Sequence, residues 1–293
     1  MPEYLKNTLP YHAWKHQEKN HTKILSSKID DYLIRREQQE KNPILDFLFE
    51  YYSFPPSKLK KWSPGFGVLL KSNGNKLFNS FKAIANTDEG AYLNAKLFPQ
   101  QRSKSLQWIL NLLKQTSQKD PHLGCFGMHE WAMVYRCKNV RHSYLPLRYS
   151  KKEIAEIVEQ ESLTCTHNDA YRFFTEAAKP MNDQTLNHQN FRQTEQPGCL
   201  HTNMDLYKWA FKMYPWISSN IIREAFLLAL KSRRIDMRAS PYNLSSMGLS
   251  PIKVETREGK MEYVALQKKI FKKAQTIRKK LIAEYEWLIT HLS

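Results

Sequence analysis

Gly124-Cys125-Phe126-Gly127-Met128-His129-Glu130-Trp131-Ala132-Met133-Val134-Tyr135-Arg136 is a helical phrase with an uncommon content. Met128, Trp131, Met133 and Val134 are apolar, yet the same phrase holds His129, Glu130 and Arg136, with Arg141 and His142 just beyond. Titratable groups set among Trp, Met and Phe must find partners, or each costs roughly a few kcal/mol to desolvate. Two later stretches have the same texture: Cys165-Thr166-His167-Asn168-Asp169-Ala170-Tyr171-Arg172-Phe173-Phe174, and Glu195 to Trp209 with His201 and Asp205 inside it. Three such stretches predict one polar site held in an apolar helical frame. His129, Glu130, His167, Asp169, His201, Asp205 and Arg238 are expected to converge on it, because one shared network satisfies groups that scattered burial would leave needing many separate partners.

Working outward, the apolar spacing is helical nearly everywhere. Residues 11–41 form a charged helix with a broken stripe of Trp14, Ile24, Leu25, Ile29, Tyr32 and Leu33. The aromatic run from Ile44 to Tyr52 follows Pro43 and marks core. Leu106, Ile109, Leu110, Leu112 and Leu113 give residues 103–117 one apolar face. Residues 151–161, 201–213 and the segment opened by Ser218 or Ser219 continue the pattern, and a long basic helix closes the chain through Leu288. Residues 179–198 are polar and irregular and read as a lid or surface loop; Asp236 to Tyr242 reads as a loop joining an acid, a base and a hydroxyl. A small β-hairpin is expected near 252–264, turning at Arg257-Glu258-Gly259. The expected fold is mostly α, a single large helical domain over 1–293 with at most that hairpin. Its parts are a charged N-terminal helix (1–42), a core with the polar site (43–250), and the hairpin with the basic C-terminal helix (251–293).

At 293 residues the chain can bury a sizeable core, and its 41% hydrophobic and 12% aromatic content is that of a globular protein. The formal net charge of +17 favours an anionic partner: nucleic acid, a nucleotide or an acidic lipid surface. Cys125, Cys137, Cys165 and Cys199 include no C-x-x-C pair, which argues against a structural zinc site and for unpaired thiols. No stretch approaches the roughly 20 apolar residues that span a bilayer, so no membrane role and a cytoplasmic location are expected. His12 and His16 are four apart on the first helix, but no third ligand accompanies them.

The anchoring phrase, Glu195-Gln196-Pro197-Gly198-Cys199-Leu200-His201 and Asp236-Met237-Arg238-Ala239-Ser240-Pro241-Tyr242 together resemble a bacterial family commonly labelled 3-methyladenine DNA glycosylase, and the resemblance runs from about residue 43 to 267. It implies hydrolysis of an N-glycosidic bond on damaged DNA, which makes DNA the expected anionic partner. That chemistry needs a carboxylate to orient water or stabilise the sugar cation, an aromatic pocket for the extruded base, and cations for flanking phosphates. Asp169 is the first candidate carboxylate and Glu130 the second, with His129, His167, His201 and Asp205 as further catalytic candidates. Trp131, Tyr135, Tyr171, Phe173 and Trp209 would build the pocket; Arg136, Arg141, Arg148, Arg172 and Arg238 would hold phosphate. This reading assigns no metal ligand and no cofactor. Ser63-Pro64-Gly65-Phe66-Gly67 also resembles the helix-hairpin-helix turn of one glycosylase superfamily, with Asp88 at about the spacing of its catalytic acid.

Two other classes fit the same residues. One is a metal-dependent enzyme on a helical bundle, drawing on His129, Glu130, His167, Asp169, Glu195, His201 and Asp205, although the Glu-x-x-His spacing of di-iron bundles is absent. The other is a non-catalytic nucleotide- or nucleic-acid-binding protein using its arginines and aromatics. The plainest alternative is that the carboxylates pair with arginines only to tie helices together.

Overall fold

Helix accounts for about 55% of the chain. The computed structural model describes residues 2–73 and 78–292. The first helix, α1 (Tyr11–Glu37), buries Trp14, His21, Leu25, Ile29 and Tyr32, a stripe at helical spacing. The aromatic run that follows is a π-helical turn, Phe47–Tyr51, and then α2 (Pro56–Lys60), with Pro56 in its first turn. Next come α3 (Ser103–Ser117), as the leucine spacing predicts, α4 (Met128–Ala132) and α5 (Lys151–Gln160). Ser150 and Glu153 close a reciprocal capping box on α5. Two short helices follow, α6 (Asn168–Tyr171) and α7 (Phe191–Thr194). The most extensive helix packing comes from α8 (Leu200–Lys212), α9 (Ser219–Ala239) and α10 (Arg257–His291). Helix α8 lies against α9, and α10 runs along α3, α8 and α9. Most buried apolar residues belong to one cluster that extends from Leu25 to Leu288.

The β-structure is larger than a hairpin and lies elsewhere. β1 (Asn7–Leu9), β2 (Val68–Leu70), β3 (Ile84–Thr87) and β4 (Gly90–Leu93) form one sheet in the order β1-β2-β4-β3. β1 pairs parallel to β2, while β4 is antiparallel to β2 and β3. A second, small apolar cluster of Trp14, Trp62, Val68, Leu70, Phe78 and Ala91 sits on it. The hairpin expected at 252–264 is absent. Thr256 Oγ1 accepts a hydrogen bond from the Gly259 amide and starts α10 there, so the supposed turn residues form the first helical turn. Gly259 suits this close approach: a Cβ would lie 1.8 Å from the Lys253 carbonyl oxygen.

Other expectations need correction. Asp236 to Ala239 are the last turn of α9, not a loop. Residues 179–198 are a surface loop only in part: Asp183, Gln184, Thr185, Asn187, His188 and Gln189 are exposed, but Glu195 is 2% exposed, and Gln196, Pro197 and Gly198 are buried beside it. Gly65 and Gly67 do take positive φ, but Gly67 faces the Trp287 indole and the Tyr4 carbonyl, and the chain runs on into β2. Asp88 lies in the exposed β3–β4 turn, so no helix-hairpin-helix forms. No described helix is long and apolar enough to cross a membrane, and none of the four cysteines is in a disulfide.

Candidate functional site: a buried histidine–carboxylate cavity

The anchoring phrase is helical for one turn only. Phe126 (φ 49°) and Gly127 (φ 79°) precede α4, and Arg136 (φ 48°) follows it. L-residues rarely adopt such backbone, and it recurs where a site dictates the chain path. Here it holds His129 and Glu130 against α9. Glu130 Oε1 accepts from the Arg233 guanidinium, which also donates to Asp236 Oδ2 at 2.6 Å. His129 Nε2 lies 2.8 Å from Asp236 Oδ1, and its Nδ1 lies 3.3 Å from Cys125 Sγ.

The facing wall is built by α8 and α6. His201 and Asp205 are four apart on α8, hence on one helix face. Tyr52 OH donates to Asp205 Oδ1 at 2.8 Å. Lys208 Nζ bridges Asp205 (3.2 Å) and Asp169 (3.1 Å). His167, just ahead of α6, places Nδ1 2.6 Å from Glu195 Oε1, and Glu195 also accepts from Thr202 Oγ1. His201 joins the walls. Its ring centre is 4.6 Å from that of His129 and 5.3 Å from that of His167. Its Nε2 is 3.8 Å from Asp236 Oδ2, and its Nδ1 is buried with no hydrogen-bond partner among the described residues.

Between the walls is a cavity of about 20 Å³, lined on the polar side by Glu130, His167, Asp169, His201, Asp205 and Arg233. Phe47, Tyr51 and Tyr52 reach it from the π-helical turn, and Arg141, His142 and Phe173 stand at its edge. Such a volume holds about one water or one ion. Two sets of three side chains each bring one ligand atom within 4.8 Å of one another: His129, His201 and Asp236, and His167, Asp169 and Asp205.

Charge explains the protonation of this cluster. Five carboxylates, Glu130, Asp169, Glu195, Asp205 and Asp236, face two fixed cations, Lys208 and Arg233. Burial opposes a charged imidazole at His129, but the Asp236 carboxylate overrides it and raises the pKa well above the usual value. Glu195 does the same for His167, again against burial. His201 goes the other way: burial pushes its pKa well down, and the cations around it add to the effect. It is therefore a neutral imidazole with a free lone pair. Burial works to raise Asp169, yet the Lys208 ammonium and His167 hold its carboxyl at about 2.

The expected convergence is largely met. Glu130, His167, Asp169, His201 and Asp205 line the cavity, and His129 is bonded into its wall. Arg238 departs: it donates to the Ser250 carbonyl and pairs with Glu262, away from the cavity. Its neighbour on α9, Arg233, takes the inward place. Arg136 pairs with Glu159, and Arg148 is buried against Glu255. Trp131 is core, its indole donating to the Ala239 carbonyl. Tyr135 bonds Glu159, Tyr171 bonds the Lys179 carbonyl, and Trp209 packs on Trp108. Of the expected pocket aromatics, only Phe173 reaches the cavity. Arg233 and Lys208 were not singled out from sequence, and Asp236 was read only as the acid of a loop. The signal for Arg233 and Asp236 was a base and an acid three apart, hence on one face of α9.

No protein-family description, curated protein or solved structure matches the chain.

Proposed function

We propose that this protein is a metal-dependent hydrolase whose centre is the histidine–carboxylate cavity. The observation that carries the reading is the pair of three-residue sets, His167–Asp169–Asp205, which lines a space the size of one water or ion, and His129–His201–Asp236, which shares His201 with that lining. Imidazole and carboxylate together suit zinc, manganese or iron. The surrounding shell fits as well. His167 gives Nδ1 to Glu195, the carboxylate–histidine arrangement that aims the other ring nitrogen at a metal. His201 carries an orphaned buried nitrogen. A bound ion would supply Lewis acidity and lower the pKa of a water beside it. Asp169 and Asp205 would serve as ligands beside His167; Lys208 holds both carboxylates in position, and Arg233 fixes Glu130 and Asp236. The surplus of basic residues over the whole chain favours an anionic substrate.

Elemental analysis of the purified protein by plasma mass spectrometry tests this. A transition metal at about one equivalent or more, reduced at least severalfold in His201→Ala, is expected. A parent protein that stays metal-free after incubation with zinc, manganese and iron(II) would remove the reading.

DNA glycosylase activity is the second reading. It is favoured by the aromatic edge of Phe47, Tyr51 and Phe173 beside an ionised Asp169. It requires the cavity to widen, because about 20 Å³ does not admit a nucleobase. Release of a free base from alkylated DNA, lost in Asp169→Asn, tests it.

A further inference from the structure

The five arginines expected to meet phosphate can be sorted by what they already touch, and the sorting isolates one pair. Arg136, Arg148 and Arg238 each have a carboxylate within hydrogen-bond distance. Arg141 has no hydrogen bond or ion pair to any described residue; its guanidinium carbon stands over Phe173, 4.1 Å from the ring centre. Arg172 lies 4.7 Å from the same ring and 5.7 Å from that of Tyr51, and its nearest carboxylate, Asp169, is 4.0 Å away. Both arginines are exposed, while Phe173 and Arg141 line the cavity edge. Stacking on a ring fixes the plane of a guanidinium but uses none of its five N–H donors. Two oriented, unsatisfied forks therefore stand at the mouth of a site whose floor is anionic.

We propose that Arg141 and Arg172, held by Phe173, form a clamp for a phosphoryl oxyanion on the substrate, and so fix which bond reaches the cavity. The clamp rests on the reading of the cavity as a reaction centre. Planar forks match the geometry of phosphate oxygens, two donors at a time. The floor carboxylates Asp169 and Asp205 already engage Lys208, and Glu130 engages Arg233, so the free donors for an anion stand at the rim and the rest of the substrate points inward. The strap from residue 137 to 145 supplies one fork, and the end of α6 supplies the other. Two sources carry this chemistry, a phosphomonoester on a small molecule and a phosphodiester in a nucleic acid strand.

Calorimetric binding to the full chain separates them. The probes are inorganic phosphate, phenyl phosphate and a six-nucleotide single strand. The parent is expected to bind at least one of them saturably. Arg141→Ala and Arg172→Ala should each weaken that binding about tenfold, and the double variant by about a hundredfold, as for lost charge-assisted hydrogen bonds. Phe173→Leu should give a smaller loss, since it frees the forks without removing charge. Lys269→Ala with Lys272→Ala on α10 removes two exposed charges and should leave binding as in the parent. Preference for phenyl phosphate assigns the clamp to a small phosphomonoester; preference for the strand assigns it to nucleic acid. Parent-like binding in the double arginine variant, or no binding of any probe by the parent, overturns the clamp. Metal content measured on the same samples keeps the two ideas apart: a metal-free parent whose phosphate binding still needs both arginines loses the hydrolase reading and keeps the clamp.

Discussion

Helix α8 carries buried polar groups on two of its faces, and they do opposite things. On one, Asn203 accepts from Arg278 (2.8 Å) and donates to the Pro197 carbonyl (2.9 Å), while Gln267 nearby donates to the Gly198 carbonyl (2.8 Å). These groups bind the 195–199 strap to α8 and α10 through amides and a guanidinium. On the other, His201 and Asp205 face carboxylates, imidazoles and a cavity. Amides with fixed donors and acceptors suit a structural tie, because no proton has to move. A crowd of carboxylates with more negative charge than its fixed cations balance suits a site that exchanges protons or takes up ions. The difference teaches that burial alone does not mark function; the titratable content and the free space do.

Substitutions can break this contrast, and the largest effect is expected at Arg233. Arg233→Met leaves Glu130 and Asp236 buried without their cation and should cost about 3–5 kcal/mol in urea unfolding. Excess divalent metal should restore part of that loss, because an ion between His129, His201 and Asp236 binds the folded form only.

His21 offers the next largest effect, and it is a third kind of buried polar group. Its Nε2 is 2.8 Å from the Leu59 carbonyl oxygen, Arg223 faces its Nδ1, and burial lowers its pKa to about 4. The unfolded imidazole has a pKa of about 6.5. The folded pKa of this base is depressed, so between these values the unfolded chain binds a proton that the native one refuses. Stability is therefore complete above about pH 6.5 and falls as pH drops towards 4, by up to about 3 kcal/mol. His21→Gln should flatten that slope in a series of urea midpoints.

A smaller loss, about 1–3 kcal/mol, is expected for Arg278→Leu, which orphans Asn203 Oδ1 but leaves no unpaired charge behind. Metal content should be that of the parent. A metal content lowered as far as in His201→Ala would erase the distinction between the two faces of α8. Smallest is Thr256→Ala, about 1 kcal/mol from loss of the α10 cap; no change on melting would count against the helix start assigned to residue 257.

How much of this was legible in the sequence depends on whether a local rule or a tertiary one decided. The leucines of α3 and the capping pair on α5 are local, and both helices fall where spacing puts them. His129, His167, His201 and Asp205 were legible as site residues because each interrupts an apolar run. Arg233 was not, because Arg238 lies in a more conspicuous phrase, and only the turn of α9 decides which arginine points inward. Tyr51 and Tyr52 read as core, and the π-helical turn brings both to the cavity. The sheet was missed because strands of three or four residues leave almost no alternation to read. The hairpin expected near residue 257 failed because the Thr256 cap outweighs a turn-like Arg-Glu-Gly.

The decisive measurement is the X-ray absorption spectrum of the zinc-loaded protein. A first shell of nitrogen and oxygen alone at about 2.0–2.2 Å, with imidazole scattering that weakens in His201→Ala, is the predicted result. A sulfur shell near 2.3 Å would place the ion on Cys125, Cys165 or Cys199 instead, and would contradict the assignment of the histidine–carboxylate cavity as the metal centre.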